Sequence, residues 1–203
     1  MSDYSIKPYT TTLWLTIALG LFGIHRFYVG KMGTGVLYLI SGGLGGLGIE
    51  LINWMYLNGA KQFILFSRSG KMNKKAKRII NELKNKNCKI IIAKIDITDL
   101  NSLVEFMLNE QYNIDGVFHL AGVIKDTRIE NINIHDINIV LAPKVDGGKN
   151  LHDVTIGQDL RFFVTFSSIS ALFGNPGQAN YASANCFLDK LCENRRKDNL
   201  PGL

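Results

Sequence analysis

Cysteine is sparse in this chain and carries no pairing pattern. Cys88, Cys186 and Cys192 are odd in number and form no C-x-x-C pair, which excludes a disulfide framework and suits a reducing compartment. The histidines, His25, His119, His135 and His152, lack metal-ligand spacing, so no metal site is expected. Internal repeats and low-complexity linkers are absent, which excludes a repeat array. The formal net charge of +6 is concentrated in Lys71–Lys89, a stretch without interleaved aromatic residues. There Ile79, Ile80 and Leu83 recur at helical spacing among lysines, the pattern of a solvated amphipathic helix, and no nucleic-acid partner is expected. Charge is missing altogether from Pro8 to Ile24. That run falls short of a membrane span of about 20 residues, and a second apolar stretch follows from Gly33 to Leu57. Neither the basic start nor the small-residue cleavage site of a secretory signal is present.

What the chain does contain is enough apolar residue for a real core. Its 203 residues are 46% hydrophobic and 20% charged, sufficient for one substantial domain or most of a larger one. From Val36 onward strand and helix signals alternate. Strands are expected at 36–41, 62–66, 89–95, 116–122 and 161–168. Helices are expected over 49–60, 71–87, 100–109, 132–152 and 178–197. Short β-branched and aromatic strands separated by helices predict an α/β fold, a doubly wound parallel sheet covered on both faces. Leu-Pro-Gly-Leu closes the chain where a further strand is expected to begin, so the sheet reads as incomplete at its C-terminal end.

The first strand runs into Ser41-Gly42-Gly43-Leu44-Gly45-Gly46-Leu47-Gly48. Glycines there permit a tight turn and close approach to a pyrophosphate, and the following helix N-terminus offers free N–H groups. Gly43, Gly45 and Gly48 match G-x-G-x-x-G, while Gly42, Gly46 and Gly48 give a second register. No Lys-Ser or Lys-Thr follows, which disfavours a Walker loop. A glycine-rich contact between membrane helices is the competing reading. The second strand ends at Ser67-Arg68-Ser69, and an arginine there suits a 2′-phosphate, favouring NADP(H) over NAD(H). Asp96-Ile97 falls where an adenine would lie, although Asp96 also suits the N-cap region of the next helix. Ala121-Gly122 are small residues at the end of the fourth strand, where the nicotinamide ribose would pass.

Residues 167–189, SSISALFGNPGQANYASANCFLD, carry the chemistry. Ser168 ends a strand, Tyr181 begins a helix, and Asn185 follows one turn later. A phenol titrates near pH 10 and is a poor acid near neutrality without a cation beside it. With SGGLGGLG, SRSG, DITD (96–99), VFHLAGVIKD (117–126) and APKVDGGKNLH (142–152), this stretch resembles the short-chain dehydrogenase/reductase superfamily. Within it, residues 36–203 are similar to the ketoreductase domains of polyketide and fatty acid synthases, and the resemblance implies an NAD(P)-binding Rossmann fold. Most of the superfamily places a lysine four residues after the tyrosine. Synthase ketoreductases exchange that lysine with an asparagine, which maps here to Lys144 and Asn185.

The resemblance implies NADPH-dependent reduction of a β-ketoacyl thioester in polyketide or fatty acid biosynthesis. Tyr181 would act as general acid, with Lys144 as the cation beside it and a holder of the nicotinamide ribose. Ser168 would donate to the carbonyl oxygen, with Ser167 as its rival, and Asn185 would position Lys144 or an ordered water. Asp126 stands where the family has the last residue of its Leu-Asp-Asp motif, and Phe173 where one stereochemical class has tryptophan; both lean toward a D-configured hydroxyl. The implied partners are an acyl carrier protein bearing a phosphopantetheine-tethered substrate and other synthase domains, in the cytoplasm. Ahead of this domain, residues 1–35 form an apolar segment expected to be helical. From Lys7 to about Ile40, with its His-Arg-Phe-Tyr motif, the chain resembles the TM2 family of two-helix membrane proteins, which implies membrane contact through residues 8–35. The alternatives are a free-standing short-chain carbonyl reductase, or a TM2-like membrane protein with an inactive reductase fragment.

Overall fold

Five short runs rich in Ile, Leu, Val and Phe build the centre of the molecule, and each is too short and too β-branched to prefer a helix. The computed structural model describes residues 36–110 and 112–203. They fold as β1 (Leu37–Ser41), α1 (Gly46–Leu57), β2 (Gln62–Phe66), α2 (Lys74–Asn85), β3 (Lys89–Ala93), α3 (Leu100–Glu110) and β4 (Ile114–His119). A 3-10 turn (Ile129–Asn131) follows, then α4 (Ile134–Leu141), α5 (Val145–Thr155), β5 (Phe162–Thr165), α6 (Ser170–Phe173) and α7 (Ala179–Lys197). The strands form one parallel sheet in the order β3-β2-β1-β4-β5. Leu39 of β1 lies opposite Ile64 of β2 and Val117 of β4. All five residues of β1 are buried, as expected of a central strand covered by helices on both faces. Leu39, Ile64, Phe66, Val117 and Phe163 meet Leu103 and Leu151 from the helices in the main core.

The helices follow their apolar periodicity, and local chemistry sets their ends. In α2, Ala76, Ile79, Ile80 and Leu83 are buried while the lysines face water. It starts three residues later than the basic run, because Asn73 accepts from the Ala76 N–H at 2.8 Å and caps it. The helical stretch expected over 132–152 is two helices. Pro143 has no N–H to continue the ladder, and the break at Ala142–Lys144 leaves Lys144 as the residue preceding α5. The short helix α6 has no counterpart in the sequence pattern, since four residues show no periodicity.

Residues 41–57 are a strand end, a loop and α1, which overturns their reading as a contact between membrane helices. Among the described residues no helix is long and apolar enough to cross a membrane. The apolar segment 1–35, with its expected helix, lies outside the described residues.

At the far edge Leu203 lies along β5, donating to Phe163 O at 2.9 Å and accepting from the Thr165 N–H at 2.7 Å. Arg195 fastens it: buried on α7, it donates from Nε to Pro201 O at 2.6 Å, approaches His152 Nδ1 at 2.5 Å, and stacks 3.9 Å over the Phe163 ring. Arg195→Ala removes these contacts together and is expected to cost about 3 kcal/mol in urea unfolding. Amide exchange at Leu203 should accelerate more than exchange in β1; equal acceleration in both would show that Arg195 does not hold this edge.

Candidate active site

Chain direction away from β1 reverses between β2 on one side and β4 on the other, which opens a crevice at the carboxyl ends of β1 and β4. The glycine loop lines it. Gly42 sits at φ +74°, and a Cβ there would come within 2.9 Å of Ala121 N. A Cβ on Gly48 would lie 2.6 Å from Gly42 O, so α1 can pack this close only with glycine. Gly46 has nothing within 4 Å, and Gly45, Gly46 and Leu47 are exposed. The start of α1 carries no side-chain cap and no acidic residue in its first turn, so its N–H groups face open space with a favourable dipole. Gly43, by contrast, packs inward against Leu65. This cradle fits the pyrophosphate of a dinucleotide.

Beside it lies a cavity of about 330 Å³ lined by Phe66, Arg68, Ile95, Asp96, Ile97, Thr98, Asn138, Ile139, Ala142 and Pro143. Largely apolar walls with a few polar groups suit an adenosine. Asp96 Oδ1 accepts from the Thr98 N–H at 3.0 Å and hydroxyl at 2.9 Å, which shapes the wall. The side chain that caps α3 is Asp99, bonded to Ser102. Of the flanking serines, Ser69 accepts from the Lys71 N–H and Ser67 donates its N–H to Ala93 O.

Among the residues expected to carry the chemistry, the structure brings Lys144 and Tyr181 together. Lys144 is 3% exposed, and its ammonium donates to Phe166 O at 2.8 Å. It lies 5.5 Å from the centre of the Tyr181 ring. Burial draws its pKa down to about 8, opposed by the Asp189 charge. Gly122 lies close by: a Cβ there would meet Lys144 Cε at 3.1 Å, a tight contact. Asn185 is fully buried; its Nδ2 donates to Tyr181 O at 2.7 Å, while Oδ1 has no partner and does not touch Lys144 directly. An unpaired buried acceptor is costly, which favours an ordered water there. Ser168 accepts from Ser170 N–H at 3.2 Å and from Ser170 hydroxyl at 2.9 Å. Its rival Ser167 instead donates to Asn185 O at 3.3 Å, away from that position.

Three groups escaped the sequence pattern: His119, Asn180 and Ser170. His119 ends β4 with Nδ1 2.6 Å from Ser41 Oγ. Burial pushes its pKa down to about 3, helped by the Lys144 charge and opposed by the Pro143 carbonyl, so the imidazole is neutral. Asn180 accepts the Tyr181 N–H at 2.7 Å and donates to Lys125 O at 3.1 Å, tying the tyrosine's helix to the loop after β4. Asp126 joins the same seam by accepting from Gln178 Nε2 at 3.1 and 3.0 Å. Only Ser-x-Ser at 168–170 left a legible trace, as a local turn motif. Phe173 is 81% exposed at the end of α6.

Known proteins resemble this chain in sequence and in fold. The KR domain family model matches residues 36–203, and the TM2 domain model matches residues 5–55. The hybrid PKS-NRPS synthetase pynA of Aspergillus niger is 41% identical over 165 residues, covering 81% of this chain and 4% of that protein. The highly reducing polyketide synthase VdtX of Byssochlamys spectabilis is 36% identical over 164 residues, covering 81% of this chain and 7% of that protein. The chain therefore spans a small part of the curated relatives it matches. Among solved structures, an N-terminal ketoreductase from the macrolactin assembly line superposes with a TM-score of 0.77 at 30% identity, over 85% of this chain and 36% of that one. A structure of A-type ketoreductases from a modular polyketide synthase gives 0.78 at 32% identity, over 84% and 37%. By its sheet, its crevice and these matches, the chain belongs to the KR family, the ketoreductase domains of polyketide synthases within the short-chain dehydrogenase/reductase superfamily.

Proposed function

We propose that this chain reduces a β-ketoacyl thioester, carried on an acyl carrier protein, to the β-hydroxyacyl thioester with NADPH. The observation that carries the reading is the buried ammonium of Lys144 beside the Tyr181 ring, with Asn185 one turn further along α7. The Gly42–Gly48 loop and the cavity beside Arg68 would hold a nicotinamide dinucleotide, which would supply a hydride for the ketone carbon. The chain's own groups then manage the charge that develops on the ketone oxygen. Tyr181 gives its proton to that oxygen as general acid. Lys144, cationic below about pH 8, stabilises the phenolate left behind. Ser168 donates a hydrogen bond to the same oxygen, and the free Oδ1 of Asn185 holds a water through which a proton can return. Arg68, exposed at the mouth of the adenosine cavity, supports a 2′-phosphate and hence NADPH. Asp126 and Phe173 bear on which face of the ketone is presented, with a D-configured product as the expectation.

Other synthase domains are the expected neighbours of a domain that spans so little of its relatives. Three free cysteines support a reducing, cytoplasmic setting. Membrane contact through residues 8–35 rests on the TM2 likeness alone.

Tyr181→Phe is expected to lower turnover of a carrier-bound β-ketoacyl thioester by at least about 10²-fold while NADPH still binds, as read by its fluorescence. Retained turnover would remove Tyr181 as the acid; equal turnover of the free ketone would favour a reductase of small carbonyl compounds. Arg68→Ala should weaken NADPH binding roughly 10-fold or more and leave NADH binding within about twofold. An equal loss for both cofactors would contradict the 2′-phosphate assignment.

A further inference from the structure

A serine hydroxyl has two acceptor positions and one hydrogen. At Ser168 both acceptor positions are filled from a single residue two places along: the Ser170 N–H donates at 3.2 Å and the Ser170 hydroxyl at 2.9 Å. Ser170 is 4% exposed, whereas Ser168 is half-buried. The only hydrogen-bonding capacity left at Ser168 is therefore its own hydrogen, on its open side. We propose that Ser170 is a positioning residue that commits Ser168 to act as a donor, fixing its rotamer and polarising its O–H toward the ketone oxygen. The inference rests on the reading of Ser168 as that donor.

The physical reason is cooperativity. A hydroxyl that accepts two hydrogen bonds becomes a stronger donor, and a stronger donor gains most against an oxygen acquiring charge. Ser170 should therefore act on the transition state more than on the bound ketone, and so on kcat more than on KM. The competing role is local: Ser168 Oγ simply caps the turn that starts α6, which would affect folding and leave the chemistry alone.

The test uses the full chain with NADPH and a carrier-bound β-ketoacyl thioester. Ser170→Ala is expected to lower kcat about tenfold with KM within about twofold, and Ser170→Thr to recover most of the loss. In a Ser168→Ala background, adding Ser170→Ala should have no further effect. An undiminished kcat in Ser170→Ala, or the same loss in both backgrounds, overturns the proposal. Crystal structures supply an arm independent of turnover: Ser168 should occupy one rotamer in the unsubstituted protein and several in Ser170→Ala. A single rotamer in both overturns it. If the unsubstituted chain reduces no thioester, the reductase reading falls, and the rotamers alone decide whether Ser170 positions Ser168.

Discussion

A lysine ammonium held out of water next to a tyrosine is the constraint that organises this molecule. Removing Lys144 from solvent is unfavourable, as its pKa near 8 records, and the fold offsets it with the Phe166 carbonyl at 2.8 Å and the Asp189 charge. The surroundings are consistent with that need. Pro143 interrupts the helix so that Lys144 sits in a turn pointing at the sheet's end. Gly122 clears room for its side chain, and His119 stays neutral, so no second cation competes. The end of β5 turns the Phe166 carbonyl toward it, and the same strand end delivers Ser168.

Much of this was legible because the patterns are periodic or chemically singular. Strands such as LYLIS, QFILF and KIIIA lie within the segments expected from their apolar runs, although four of the five strands are shorter than or offset from those segments. The glycine loop was legible because few contexts require so many glycines between a strand and a helix. Lys144 could be named only by resemblance: nothing in its spacing to Tyr181 places the two together, and a proline break does so in three dimensions. His119 and Asn180 were illegible for a related reason. Their long-range partners, Ser41 for His119 and the Lys125 carbonyl for Asn180, are fixed by packing rather than by sequence period.

The stretch 36–55 is claimed by both family models, yet it has one structure here. It forms β1 at the centre of the sheet and most of α1, whose Gly48 packs against the Gly42–Gly43 backbone. Glu50 on α1 pairs with Lys75 on α2 at the surface, a placement suited to water rather than to lipid. Glycine spacing alone fits both readings, because close backbone approach is what membrane helices and phosphate loops have in common. The strands on either side of β1 decide between them.

The proposed mechanism centres on the charge of Lys144, and a pH profile tests it most directly. With saturating NADPH, kcat/KM for the carrier-bound thioester should fall as pH rises through about 8, where the ammonium loses its proton. Lys144→Arg keeps the cation charged throughout, so whatever activity it retains should show no such decline. The same decline in the arginine variant would contradict the claim that this buried cation drives the proton transfer from Tyr181.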